Sequence, residues 1–280
     1  MNVYKEEKIM KTLLWGSALF TVFILVVILS FLIIKGAGAL SIDFLTKIPT
    51  DSGEKGGIFP AILGTVYLVT IAVLTAAPLG IGGAIYLVEF QREGIITKII
   101  RFGADTLNGV PSIIFGLFGF AFLVYYLKLG VCILSGGLTL GFMILPTVLR
   151  TSEEALRTVS RGDIEGSYAL GATKLQTIKN IVLPQSLSGI ITGIILGIGR
   201  AAGETAPIIF TAAILNPVLP KSVFDPTMSL PTHLYNLVSE ATPDKLLNAY
   251  GTALVLVMII LITTYSALLL RRYFTRNIRR

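Results

Sequence analysis

An arginine and a glutamate one helical turn apart, Arg200 and Glu204, sit inside a stretch, 184–215, that is otherwise nearly all apolar. If that stretch crosses a bilayer, a charge at mid-depth costs about 2.5–3.5 kcal/mol, and ionisable groups held there face a cavity or a bundle interior. The chemistry such a pair supports is the passage of an anion. A guanidinium keeps its charge when buried, and its planar donors match an oxyanion. A glutamate one turn away keeps the arginine from holding the anion too tightly, and accepts a bond from a protonated oxygen. At about 100° per residue with Gly189 as zero, Gly193 falls at about 40°, Gly197 at about 80°, Arg200 at about 20° and Glu204 at about 60°. The pair is therefore expected to share a face with a Gly-xxx-Gly-xxx-Gly ridge, a surface by which membrane helices approach closely. Pro207 falls at about 0° on the same wheel and is expected to bend the helix. The competing reading is a structural ion pair that neutralises itself between helices.

A second group lies on a polar island, 150–183. Gly171 follows Glu165 by six positions, Ile181 follows ten later, and Leu183-Pro184 closes the run. Gly171 permits the positive φ that lets two short helices fold back on each other. Beyond it Leu175, Ile178 and Val182 recur at helical spacing, with Lys174 and Lys179 on the wetter side. Such an amphipathic knob suits a groove on a partner. A helix lying on anionic lipid, which the lysines also fit, is the alternative.

These residues need a frame, and the apolar segments supply it. Only 14% of the 280 residues are charged and 54% are hydrophobic, against roughly 25% charged in ordinary globular domains; the excess belongs in lipid. Six spans are expected, at 12–34, 59–88, 105–126, 130–149, 184–215 and 250–270, within one transmembrane domain over 1–280. The first, at ~1.5 Å per residue, reaches about 34 Å, enough for a hydrocarbon core of about 30 Å. Ala37-Gly38-Ala39 resembles a signal cleavage site, but signal cores run only about 7–15 residues, so this is a retained span. Pro78 with Gly80, Gly82 and Gly83 is expected to kink or thin the second. Pro184 suits the first turn of the fifth, where its missing N–H costs nothing. The loop 216–249 is rich in proline (217, 220, 226, 231 and 243), and no soluble domain, low-complexity tract or internal repeat is visible.

Charge placement gives the orientation. The N-terminal segment, the second-to-third loop, the island and the tail carry 16 of the 23 Lys and Arg, among them Arg92, Arg279 and Arg280. The alternate segments carry 6, and Arg200 is the remaining one. By the positive-inside rule both termini and the island are cytoplasmic. The net charge of +7 follows from this topology, and no aromatic–basic interleaving points to nucleic acid. Without a Gly-Lys dipeptide there is no P-loop. His233 is the only histidine, which rules out paired-histidine zinc sites; it is expected to be solvated or locally packed in an outer loop. Cys132, the single cysteine, excludes an internal disulfide and reads as packing. No nucleophile–base set emerges, so neither enzyme chemistry nor a bound metal or cofactor is expected.

The register Glu165, Gly171, Ile181, Leu183-Pro184 resembles the EAA loop of ABC-importer permeases, with Gly166 and Ser167 where the family has alanines. Three further segments, Gly199-Arg200-Ala201-Ala202-Gly203-Glu204-Thr205-Ala206-Pro207, Asn108-Gly109-Val110-Pro111-Ser112-Ile113-Ile114-Phe115-Gly116 and Leu145-Pro146-Thr147-Val148-Leu149-Arg150-Thr151, are similar to PstA-type permeases of phosphate-specific importers. The resemblance covers roughly residues 55–275 and reaches the first span in character only. It implies an all-α, six-helix permease of the type I (MetI-like) importer fold in a prokaryotic cell membrane, moving inorganic phosphate inward. It implies a PstC-like second permease, two copies of a PstB-like ATPase that uses ATP and Mg2+, and a PstS-like extracytoplasmic binding protein. By the same resemblance Arg200, Glu204 and Arg150 line the substrate path, while Glu165, Gly171, Ala172, Leu183 and Pro184 couple to the ATPase. Arg150 reads equally as a positive-inside anchor. The alternatives are a permease for another oxyanion, the PstC-like sister subunit and, further off, a self-sufficient channel or secondary transporter.

Overall fold

The computed structural model describes residues 3–50, 53–91, 94–214, 219–239 and 242–278. Arg92, Leu215, Pro217, Arg279 and Arg280, which enter the readings above, lie outside the described residues. The chain begins with α1, Val3–Gly36, apolar on every side and almost wholly exposed. It meets the last helix, α12 (Pro243–Ile278), near its own end, where Phe31 stands edge-on to Tyr250 at 5.7 Å. A Cβ added at Gly36 would fall 2.6 Å from the Tyr250 carbonyl oxygen. A short α2, Ile42–Thr46, follows, its first turn capped by Ser41 Oγ accepting the Phe44 N–H at 3.0 Å.

The centre of the bundle is the pair α3 (Phe59–Ile85) and α6 (Ile133–Arg157). Glycine lets them approach: a Cβ at Gly137 would meet Ile71 at 2.6 Å, and one at Gly136 would meet Leu68 at 2.8 Å. Leu68, Ala72, Leu140, Met143 and Ile144 fill the seam and are essentially inaccessible. Pro78 does not divide α3, which continues as one helix to Ile85 and then loosens into a π-turn, Tyr86–Phe90. Beyond Pro78, Gly80 and Ala84 lie against α6 and its neighbours.

The stretch 105–126 is not one continuous helix but includes the corner of two. Here α4 (Ile95–Asn108) turns by 102° into α5 (Ser112–Gly119), which runs on as a π-turn to Tyr126. The cause is local: Pro111 drives Val110 out of the helical region, and Gly109 ends the preceding turn. The polar island is likewise shorter than its composition suggests, since α6 stays helical to Arg157. After it come α7 (Arg161–Ala169), α8 (Lys174–Thr177), a π-turn over Ile178–Val182 and then α9 (Leu183–Ala202). Pro184 lies in the first turn of α9, as its missing N–H allows. The chain breaks, resumes as α10 (Ala206–Thr211), and closes the far end with α11 (Leu230–Ser239) before α12.

Helices α3 and α6 run parallel, Leu68 meeting Gly136 and Gly80 meeting Val148. Helix α9 runs back against α6, Gly189 meeting Ala155 and Gly197 meeting Ile144, so α7 and α8 lie as a knob at the end where α6 stops and α9 starts. At the opposite end the loop residues are drawn into the bundle by backbone bonds: the Cys132 N–H donates to Thr211 at 3.0 Å and the Thr227 N–H to Ala212 at 2.9 Å. The Leu230 N–H donates to Thr65 Oγ1 at 2.9 Å. Among the described residues five helices are long and apolar enough to cross a membrane, and the bent α4–α5 pair makes a sixth if counted as one span.

Candidate functional site

The glycine ridge of α9 packs on α6. Gly189 meets Ala155, Gly193 meets Thr151, and a Cβ at Gly197 would lie 3.4 Å from Ile144 and 3.5 Å from Val148. The seam continues to Ala201, 1% exposed in the central core. Because residues four apart advance by about 40° on a helix, this seam winds from about 0° at Gly189 to about 120° at Ala201. Arg200, at about 20°, is on the ridge's side of the wheel but not at its height; where Arg200 stands, the contact has moved about 100° round. Arg200 is half-buried, between Gly199 and Gly203, around which the rest of the chain leaves open space.

Glu204 is not on the helix at all. The helix ends at Ala202, Gly203 caps it, and Glu204 lies in a break whose N–H reaches back to Ala201 at 3.4 Å. Pro207 therefore does not bend a continuous helix; it sits in the first turn of α10, packed against Gly116 of α5. Among the described residues no ion pair joins Arg200 to Glu204 or to another carboxylate. The level of the pair follows from its neighbours. Arg271 of α12 donates to Thr192 Oγ1 at 3.1 Å, and the charged end of α6 lies beside Gly189 and Gly193. Arg200 is seven residues further along, about 10 Å deeper at ~1.5 Å per residue.

Arg150 has a different setting. Its Nη1 donates to Glu153 Oε2 at 2.8 Å, and its Nε to Asp105 Oδ1 at 2.8 Å. Glu153, 1% exposed, also accepts from Arg101 Nε at 2.6 Å and from Arg157 Nη2 at 3.1 Å. One turn further into the bundle, Thr147 Oγ1 donates to Asn108 Oδ1 at 2.8 Å. Three rungs thus join α4 to α6, pairing Asn108 with Thr147, Asp105 with Arg150 and Arg101 with Glu153. The polar side of α4 is turned inward on them, while Ile95, Ile99 and Phe102 point away and are largely exposed. Sequence reasoning missed Glu153. The available signal was its place three residues after Arg150 on one helix; Arg101, 52 positions away, could not have been matched to it.

In the knob, Gly171 adopts φ +85 with nothing within 4 Å of an added Cβ, so conformation and not space demands the glycine. The Gly171 N–H closes onto Tyr168 at 2.9 Å and the Ala172 N–H onto Ser167 at 3.2 Å. Thr173 and Gln176 cap α8 reciprocally. The two departures from the EAA pattern separate here. Gly166 faces open space, whereas Ser167 is buried with its hydroxyl 2.9 Å from Thr177 Oγ1, pinning α7 to α8. The expected apolar row also divides. Ile178 and Val182 are buried, Val182 against Ala84, Leu156 and Val159, while Leu175 is exposed, as are Leu170 and Tyr168. Ala172 and Pro184 line an open groove of about 610 Å³ between α7 and α9, which Gln185 Nε2 crosses to Asp163 Oδ2 at 2.9 Å. Leu183 packs at the edge of the Val182 cluster. Glu165 is exposed and lines a separate cleft with Tyr168 and Arg161.

His233 is 4% exposed in α11, packed under Gly53, and burial alone pushes its pKa down to about 4.

A bundle of apolar helices, broken beside a charged pair and carrying a helical knob at one end, defines a multi-pass membrane transport component. Residues 76–280 match the family described as "Binding-protein-dependent transport system inner membrane component", and the chain belongs to it. It is 33% identical over 257 residues to the probable ABC transporter permease protein YqgI of Bacillus subtilis, covering 87% of each chain. It is 34% identical over 263 residues to the phosphate transport system permease protein PstA of Pasteurella multocida, covering 94% of this chain and 93% of that one. In fold it resembles a chain of the inward-facing MetNI methionine ABC transporter, with a TM-score of 0.64 and 17% identity over 77% of this chain and 94% of the other. The all-helical permease architecture expected from the EAA-like register is thus the one found.

Proposed function

We propose that this chain is the permease subunit of an ATP-driven importer for inorganic phosphate, with both termini and the α7–α8 knob in the cytoplasm. The observation that carries the reading is Arg200: a half-buried cation about 10 Å inside the charged end of the bundle, on the side of α9 that its own chain leaves open. A second, PstC-like permease facing that side would complete a path in which Arg200 offsets the hydration lost by a phosphate anion. Glu204, in unwound backbone at the same level, suits a protonated phosphate oxygen. Non-helical backbone within a membrane is tolerated where it lines such a cavity. Arg150, already bonded to two carboxylates, is the weaker path residue.

At the knob, Tyr168, Leu170 and Leu175 offer an exposed apolar tip to a PstB-like ATPase, with Gly171 setting the turn and Glu165, Ala172, Leu183 and Pro184 framing it. That partner supplies ATP, Mg2+ and catalysis; this chain binds no cofactor of its own. A PstS-like protein delivers phosphate at the opposite end. The relatives bearing the PstA name favour phosphate over other oxyanions.

The test is ATP hydrolysis and uptake by the reconstituted complex, offered phosphate, sulfate and molybdate in turn. Stimulation by phosphate alone is expected; stimulation by another oxyanion alone overturns the substrate. Orientation is read by impermeant thiol labelling of single cysteines in a Cys132→Ser background, since Cys132 Sγ accepts the Ser135 N–H at 3.4 Å and serine keeps that cap. Asp225→Cys should label in intact cells and Thr173→Cys only after the membrane is opened. Ser52→Cys, in the polar connection after the first span, should label as Asp225→Cys does; Ser52 lies outside the described residues.

A further inference from the structure

Among the contacts that tie the knob and the π-turn after it to the bundle, two lie at the end of the α3 segment, with Ile164 of α7 beside the first. The first is apolar: Val182, wholly buried, packs with Ala84, Leu156 and Val159. The second is polar and lies at the tip. Lys174 Nζ donates to the Glu89 carbonyl oxygen and stands 4.6 Å from the centroid of the Phe90 ring, inside hydrogen-bond and cation–π reach at once. Glu89 and Phe90 are the last residues of the π-turn that ends the α3 segment. Such a turn leaves the final carbonyls less firmly bonded within the helix and free to accept from outside. Lys179, the other lysine of the knob, is exposed and has no bonded partner among the described residues. The two lysines, which sequence alone could only place together on a wet face, have separate surroundings.

A single contact acts as a hinge, about which the knob could swing while α3 stayed still. Lys174 and Val182 are eight residues apart, about 12 Å at ~1.5 Å per residue. Two contacts at that separation make a rigid joint. Displacement of the tip is then carried into α3, and from α3 into α6, against which it packs along most of its length.

We propose that Lys174 is a positioning residue for coupling: it fastens the tip of the knob to the end of α3, so that movement imposed by the ATPase reaches the translocating helices. The inference rests on the permease reading above. It assigns Lys174 no contact with phosphate or with ATP, and it requires the fastening to persist through the transport cycle.

Lys174→Met removes the charge and the donor and keeps the length. In the reconstituted complex it should leave subunit composition and ATP hydrolysis within twofold of wild type, while phosphate moved per ATP falls at least threefold. Lys174→Arg, which retains both contacts, should restore the ratio. Phe90→Leu should lower it less, and the Lys174→Met, Phe90→Leu double variant should be no worse than Lys174→Met alone. A chemical tie gives an independent arm. With Lys174→Cys and Phe90→Cys in the Cys132→Ser background, transport per ATP should be low before, and recover after, joining by a short bismaleimide. Wild-type coupling in Lys174→Met, or loss of the remaining transport on cross-linking, overturns the proposal. Failure of the wild-type complex to transport phosphate at all would instead remove the permease reading on which it stands.

Discussion

Glu153 and Arg200 are both charges set among apolar helices, on partners that pack against each other. Glu153 is enclosed by Arg101, Arg150 and Arg157, and every one of those contacts lies within this chain. Arg200 stands between two glycines with open space around them and no carboxylate within ion-pair reach among the described residues. A buried charge paired internally holds a fold in register; removing one partner leaves the others stranded. A charge left open does nothing for the isolated chain and costs it insertion free energy. It makes sense only if something arriving from outside answers it.

This contrast can be broken experimentally. The largest effect is expected at Arg200: Arg200→Gln keeps a polar side chain with N–H donors but deletes the charge, so uptake by the complex should be abolished while assembly and ATP binding stay intact. If the double variant Arg200→Gln, Glu204→Gln recovers uptake, the pair was structural after all and the contrast collapses. Glu153→Ala should do the reverse, lowering stability by about 3–5 kcal/mol because three arginines lose their shared acceptor. A thermal melt of the solubilised protein would read this, and a melt unchanged from wild type would show the cluster to be expendable.

His233 sharpens the comparison with a third solution, burial in the neutral form. Its folded pKa of about 4 lies below the unfolded value of 6.5, so between those values the unfolded chain binds a proton that the folded chain refuses. The stabilisation is complete above pH 6.5 and is lost as pH falls, by about 3 kcal/mol at pH 4. His233→Phe should flatten that part of the stability–pH curve, and an unaltered curve would show that another group titrates there. The smallest effect is expected at the knob, where Gly171 has space but needs positive φ. Gly171→Val should cost about 1–2 kcal/mol locally, and Gly171→Asn less. ATPase binding should weaken in that order with membrane insertion unchanged; equal binding by both would detach the turn from coupling.

What could be read from sequence was whatever a local rule decides. Gly171 declared its positive φ, Pro184 its first-turn position, and Gly189, Gly193 and Gly197 their close packing. The misreadings came where a regular pattern was carried past the point at which backbone geometry changes. The wheel ran through Gly203 to Glu204, although the helix ends at Ala202. The run 105–126 looked continuous because the corner at Gly109-Val110-Pro111 is as apolar as its surroundings. The Glu153 cluster was hidden for a further reason. Its arginines were counted as anchors at a membrane edge, and only tertiary contact between α4 and α6 gives them a carboxylate.

The standing-off of α1 bears on how the protein is made. A helix whose contacts lie with one far later in the chain, Phe31 and Gly36 with Tyr250, must wait until that later helix has been made before the contact can form. Closing so long a loop comes late in any folding order, since local contacts form sooner than distant ones. During that wait α1 can rely on nothing but the lipid around it. Leu, Ile, Val and Phe on every face, with no stripe reserved for a partner, are what such a solitary interval requires of a nascent chain.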